Sequence, residues 1–256
     1  MIRPLHIIVY SDPSGGKSTF LATLPKPMLV FSWDPLGKET PFLRAGVPGP
    51  LEDVKGVPTQ KVHSKKDPAK LLVQVEHYID SDPRSGQAYQ TFLSRMARFD
   101  KNGEAANWAS IVCDSVTFME LAARKHAQYV LNPTAKDPRQ WYASGTETLE
   151  EQLMLRFGSL RCNVGVACHI DDSRSDIHGN SIRVPNAPGR LRKHLASAYT
   201  EFYHLCVQQD DDGNAARWLQ VQPDGEWAAG TMIEGMPQFV EPTYKALKKA
   251  MEAEDK

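Results

Sequence analysis

Residues 11–18 read Ser-Asp-Pro-Ser-Gly-Gly-Lys-Ser, directly after the apolar run Leu5–Tyr10 and directly before Phe20, Leu21, Ala22 and Leu24. An apolar run of strand length, a Gly-rich turn and a helical apolar pattern in succession restrict this stretch to a strand, a loop and a helix. Gly16, Lys17 and Ser18 supply the second half of the pattern GxxxxGK[ST]. That pattern forms a phosphate loop: successive backbone N–H groups wrap a phosphate, the lysine reaches its outer oxygens and the hydroxyl ligates Mg²⁺. Asp12, Pro13, Ser14, Gly15, Gly16, Lys17, Ser18 and Thr19 are therefore the expected nucleotide-contacting residues. Ser11 stands where the pattern has its first glycine, so this position must either avoid a positive φ or adopt it at a cost.

The 256 residues suit one α/β domain with insertions, or a core with a small appendage. A formal net charge of −1 excludes a wholly cationic nucleic-acid coat, so any such surface must be local. Cys113, Cys162, Cys168 and Cys206 show no CxxC spacing, and reduced thiols are expected. No stretch approaches the roughly 20 apolar residues that span a bilayer, and the first residues do not open a signal peptide. The expectation is a soluble, cytoplasmic protein without membrane contact.

Further apolar runs, Met28–Trp33, Trp108–Cys113 and Asn163–Cys168, alternate with helical patterns, which predicts a parallel central sheet flanked by helices. Helices are predicted from Asp67-Pro68 through the stripe Leu71, Leu72, Val75, Tyr78 and Ile79, and over 88–99, 117–131, 145–161 and 189–199. The Pro- and Gly-rich segment 41–58 reads as loop, with 60–63 a short edge strand, and the polar segment 171–188 reads as a long loop. Asp210-Asp211-Asp212-Gly213-Asn214 between two strand patterns predicts a C-terminal antiparallel hairpin, and 241–256 a charged helix. Residues 1–240 thus form the expected core domain and 241–256 a helical tail.

Hydrolysis of a bound nucleotide needs a second acid at the end of a neighbouring strand. Asp114, after Ser110-Ile111-Val112-Cys113, fits a metal-side role beside Ser18, and it also fits an N-cap for the helix that follows. Asp34, ending the strand 28–33, and Glu39 are candidates to prepare the attacking water; a turn role and a solvated surface charge fit them equally. His169 ends the strand 163–168, where a neutral imidazole reaches the outer phosphate. From Ser173 to His194, Arg174, Arg183, Arg190, Arg192 and Lys193 stand against one acid, Asp176. That local excess suits sequence-tolerant phosphate binding along single-stranded DNA, or a solvated loop and helix face.

With these residues placed, the chain resembles the phage-encoded RecA-like ATPases of the Sak4 type, within the AAA_24 group of phage nucleotide-binding proteins. The resemblance rests on Ser11–Thr19, Phe31–Leu43, Ile111-Val-Cys-Asp-Ser115 and Val166-Ala-Cys-His169, in that order. It implies a RecA-like P-loop NTPase core, ATP and Mg²⁺ as cofactors, single-stranded DNA binding in phage recombination, and oligomerisation into a ring or filament. A single-strand-binding protein is a further implied partner. Trp227-Ala-Ala-Gly-Thr231 lacks the basic residue that such proteins often carry near this point. The leading expectation is a DNA-stimulated ATPase that anneals or exchanges single strands. A P-loop small-molecule kinase, with Arg190 and Arg192 in a lid, and a nucleotide-gated DNA-binding module without useful turnover are the alternatives.

Overall fold

The computed structural model describes residues 3–101, 103–174, 181–188, 191–209 and 213–254. In chain order the strands and α-helices are β1 (His6–Ser11), α1 (Lys17–Leu21), β2 (Met28–Ser32), α2 (Thr40–Leu43), β3 (Val47–Val54), β4 (Val57–His63), β5 (Leu71–His77), α3 (Gln87–Lys101), β6 (Ser110–Asp114) and α4 (Val116–His126). There follow α5 (Pro138–Glu150), β7 (Asn163–Arg174), β8 (Ser181–Pro185), α6 (Leu191–His194), β9 (Glu201–Gln209), β10 (Ala215–Gln220), β11 (Gly230–Thr231), β12 (Phe239–Val240) and α7 (Tyr244–Glu254).

Among the described residues all twelve strands join one sheet, ordered β12-β10-β9-β1-β7-β6-β2-β5-β4-β3, with β11 added to β9 and β8 to β7. The centre, β9 to β5, is parallel. Antiparallel strands extend it at both edges. The central strands are apolar at successive positions because both faces are covered. Ile7 and Val9 lie with Phe20, Leu21, Leu247 and Met251 in one layer, while Ile8 and Phe31 lie with residues of α3 to α5 in the other and Tyr10 packs on Phe202 and Trp227. α7 is tied down further by Tyr244 N–H donating to Thr23 Oγ1 at 2.8 Å.

The second layer is built on aromatic rings. Phe92 of α3, fully buried, meets Phe31, Trp33 and Tyr78 edge-on at centroid distances of 5.4, 5.0 and 5.4 Å. Such pairs add to the burial of the rings themselves. Phe92→Ala is expected to cost about 3–5 kcal/mol, because the rigid neighbours cannot collapse into the space. Thermal unfolding should show a Tm lower by roughly 10 °C.

Several sequence expectations are corrected. The segment Leu71–His77 is not helical but a strand parallel to β2, with Met28 opposite Val73 and Ser32 opposite His77. Its apolar residues satisfy a helical stripe by coincidence, since a doubly covered strand is apolar at both parities. The expected loop at 41–58 contains α2 and β3, and β3 forms the sheet edge in place of residues 60–63, which lie inside it as part of β4. Pro48 and Pro50 are tolerated there because an edge strand leaves one row of N–H positions facing solvent. The long polar loop at 171–188 is largely an antiparallel pair, with Ile170 opposite Pro185 and Arg174 opposite Ser181.

The helix expected from residue 145 begins at Pro138, where the Asp137 carboxylate caps Arg139 N–H. It passes into a π-helical turn at Glu151–Arg156. The helix expected over 189–199 shortens to α6 and a 3₁₀ turn, Leu195–Ala198. Among the described residues no helix is long and apolar enough to cross a membrane. The four cysteines are free, with Cys113 and Cys168 buried.

Candidate phosphate-loop site

The carboxyl ends of β1, β2 and β6 and His169, opposite Ser11 within β7, meet the start of α1, and a cavity of about 410 Å³ opens there. Ser14, Gly16, Lys17, Ser18, Thr19, Asp34, Lys38, Asp114, Phe118 and His169 are among its lining residues. In an open parallel sheet this edge is where ligands bind.

The loop departs from its pattern without strain at position 11. Ser11 remains the last residue of β1, and the left-handed conformations fall at Ser14 (φ 64°) and Gly16 (φ 109°). The space that Gly15 leaves open is closed by the Ser11 hydroxyl, so a Cβ at Gly15 would collide with it. Ser11 Oγ donates to Asp12 O at 3.0 Å.

Lys17 is buried and folds back on this turn, its Nζ donating to Ser11 O (3.0 Å), Ser11 Oγ (3.1 Å) and Asp12 O (3.0 Å). Burial holds its pKa below the ordinary lysine range, against the opposing charges of Asp114, Asp34 and Asp12. Ser18, one residue on, donates from Oγ to Asp114 Oδ2 at 2.6 Å. Burial raises the Asp114 pKa to about 7, assisted by the charge of Asp34 and opposed by the Ser18 hydrogen bond and Lys17. Ser115 donates from Oγ to Asp34 Oδ1 at 2.7 Å and from its backbone N–H at 3.2 Å. The two carboxylates, the hydroxyl and the ammonium group thus come from two strand ends and one helix start.

His169 lines the same cavity, its backbone N–H donating to Thr117 Oγ1 at 3.3 Å and its ring edge-on to Phe118 at 6.1 Å. Burial, then Lys17, lowers its pKa, which favours the neutral imidazole. Glu39 is brought less close. It is buried just before α2, where its Oε2 accepts from Gly37 N–H at 2.6 Å, and it does not line the cavity. Asp12 and Gly15 do not line the cavity; the carbonyl of Asp12 accepts from Lys17 Nζ and that of Gly15 from Arg217 Nε.

The donor set suits Mg²⁺, which binds proteins through one or two carboxylates or hydroxyls and takes its other ligands from phosphate oxygens and water. Ser18 and Asp114 supply such a pair, already in contact.

The expected cationic surface is only partly visible. Arg190 and the side chains of Arg174 and Lys193 lie outside the described residues. Arg183 pairs with Glu226 at 2.8 Å and lies over the Trp227 ring at 4.6 Å, while Arg192 Nε donates to Ala187 O at 3.3 Å. Sequence reasoning missed Ser115, although it follows Asp114 directly. It also missed Thr117, Lys38 and Arg217, which no local pattern marks.

In the sheet, β7 separates the phosphate loop's own strand, β1, from β6 with its terminal Asp114. That order and the doubly covered, mainly parallel sheet give a RecA-like α/β fold with a phosphate-loop motif after its β1 strand. Among solved structures, the chain is similar to the flagellar accessory protein FlaH from Methanocaldococcus jannaschii, with a TM-score of 0.46 and 11% identity over 93% of this chain and 84% of that one. No family model matches the chain, and no curated protein matches it in sequence.

Proposed function

We propose that the chain binds ATP with Mg²⁺ at this cavity and hydrolyses it, and that turnover is coupled to single-stranded DNA. The observation that carries the nucleotide reading is the 2.6 Å contact between Ser18 Oγ and Asp114 Oδ2, which joins the phosphate loop to an acid 96 residues away. In this reading the loop N–H groups and Lys17 hold the phosphates, and Ser18 and Asp114 hold the metal. Bound Mg²⁺ neutralises charge that develops on the transferring phosphate. Asp34, which faces the cavity, prepares the water in preference to Glu39, whose carboxylate is engaged at Gly37. His169 donates to the outer phosphate oxygens.

The DNA partner is supported by the concentration of positive charge at 173–194, and the oligomer, the role in phage recombination and the cytoplasm of the host cell are what the resemblance carried by the motif order implies. The decisive assay is phosphate release with and without single-stranded DNA. Stimulation supports the coupled ATPase; turnover that ignores DNA leaves an ATPase with another partner; absence of turnover despite ATP binding leaves a nucleotide-gated binder.

Replacing Arg174, Arg183, Arg190, Arg192 and Lys193 by Ala should weaken binding to a single-stranded oligonucleotide and flatten its salt dependence. Every DNA phosphate that the variant no longer neutralises lowers the slope of log K against log salt by about 0.7. An unchanged slope in fluorescence anisotropy would place the DNA site elsewhere.

A further inference from the structure

In the β9–β10 hairpin, Arg217 pairs with Val207 and Leu219 with Leu205, so these four side chains share one face of the sheet. Leu205 and Leu219 are buried, and the same face carries Arg217 onto the phosphate loop. Its Nε donates to Gly15 O at 2.9 Å across 202 residues of sequence. Its Cδ and Nε would each lie 2.9 Å from a Cβ at Gly16, so the arginine stem packs directly on this peptide. Arg217 is exposed, so the contact is not one that a buried cation requires. Holding a long side chain on a single carbonyl costs rotamer freedom, which the contact must offset.

The carbonyl that Arg217 holds fixes the neighbouring amide. The Gly15–Gly16 peptide is trans, so its C=O and N–H point to opposite sides. Two glycines flank it, one at φ 109°, and such a peptide rotates at little cost unless something restrains it. With the Gly15 carbonyl turned out toward the hairpin, the Gly16 N–H turns in toward the cavity that Gly16, Lys17 and Ser18 line.

We propose that Arg217 is a positioning residue: it locks the Gly15–Gly16 peptide so that the Gly16 N–H is aimed at a bound phosphate, and it couples the phosphate loop to the C-terminal hairpin. The inference rests on the nucleotide-binding reading above. It also assigns the work to the Nε hydrogen bond and not to the positive charge. A glutamine separates the two, because its Nε2 stands the same number of bonds from Cα as arginine Nε and carries no charge.

The test compares wild type, Arg217→Gln and Arg217→Met by calorimetry with ADP and by the Gly16 amide resonance in the nucleotide-free protein. Arg217→Met should bind ADP about tenfold more weakly and shift the Gly16 amide, whereas Arg217→Gln should stay within about threefold of wild type with that resonance in place. Wild-type affinity or an unmoved Gly16 amide in Arg217→Met overturns the proposal. So does Arg217→Gln as weak as Arg217→Met, which would assign the effect to charge. Failure of the wild-type protein to bind ADP overturns the nucleotide reading together with it.

Discussion

Lys17→Ala is expected to abolish turnover and to weaken ATP binding by about 10- to 100-fold in calorimetry, the worth of one charge-assisted hydrogen bond to phosphate. The backbone N–H groups of the loop remain, but partial charges alone do not balance the β- and γ-phosphates. The fold should survive with Tm within a few degrees of wild type. Two opposing effects meet at this site. Removing the ammonium group takes one donor from Ser11 O and one from Asp12 O, which still accepts from Ser11 Oγ and Gly15 N–H, and it also removes a cation whose burial already lowers its pKa. A buried charge carries a desolvation cost of the same order as the contacts it makes. Unchanged ATP affinity in a folded Lys17→Ala protein would remove the phosphate-loop assignment.

Asp114→Asn should reduce Mg²⁺-dependent turnover by at least about 100-fold while leaving nucleotide-free protein more stable above neutral pH. The amide keeps an acceptor for the Ser18 hydroxyl. What it gives up is the charge that attracts the metal. Burial raises the Asp114 pKa to about 7, so the folded chain holds this proton more tightly than the unfolded chain. Its stabilising contribution is complete below about pH 4 and is lost as pH rises through 7. Ionisation without a metal therefore costs about 2–4 kcal/mol at alkaline pH, of which about 1.4 kcal/mol is lost between pH 6 and 8, so wild-type Tm should fall by roughly 3–5 °C over that interval. Asp114→Asn should not show that fall. Mg²⁺ with nucleotide should reverse it in the wild type, since binding takes the deprotonated carboxylate. The N-cap position of α4 is Ser115, so Asp114 is not a helix cap; equal pH profiles of Tm for the two proteins, or wild-type turnover in the variant, would remove the metal-side role of Asp114.

The centre of this molecule is legible in its residues alone. A strand buried on both faces must be apolar at successive positions, so β1, β2, β6 and the first half of β7 stand out as continuous runs; Asp34, Asp114 and the loop residues Lys17 and Ser18 follow the ends of β2, β6 and β1, while His169 follows the apolar run of β7 but lies inside that strand, which continues to Arg174. Sheet geometry does the rest, because parallel strands bring their carboxyl ends to one edge whatever their separation in sequence. The edges are less legible. Leu71–His77 carries apolar residues compatible with two periods, and only pairing with β2 on one side and β4 on the other selects the strand. The prolines of β3 argue against a strand until the structure shows that nothing lies beyond it among the described residues. Glu39 and Asp34 are equivalent as sequence. The folded chain turns one carboxylate back to Gly37 and the other toward the cavity. Arg217 carries no signal at all, since an arginine in an exposed hairpin strand obeys only the alternation of that strand. Its contact with Gly15 comes from β9 pairing with β1, which lays the hairpin beside the phosphate loop. Local pattern thus specifies which residues end the central strands, through burial and backbone preference; long-range pairing selects which distant side chains reach the loop, because it depends on a sheet order that no short segment encodes.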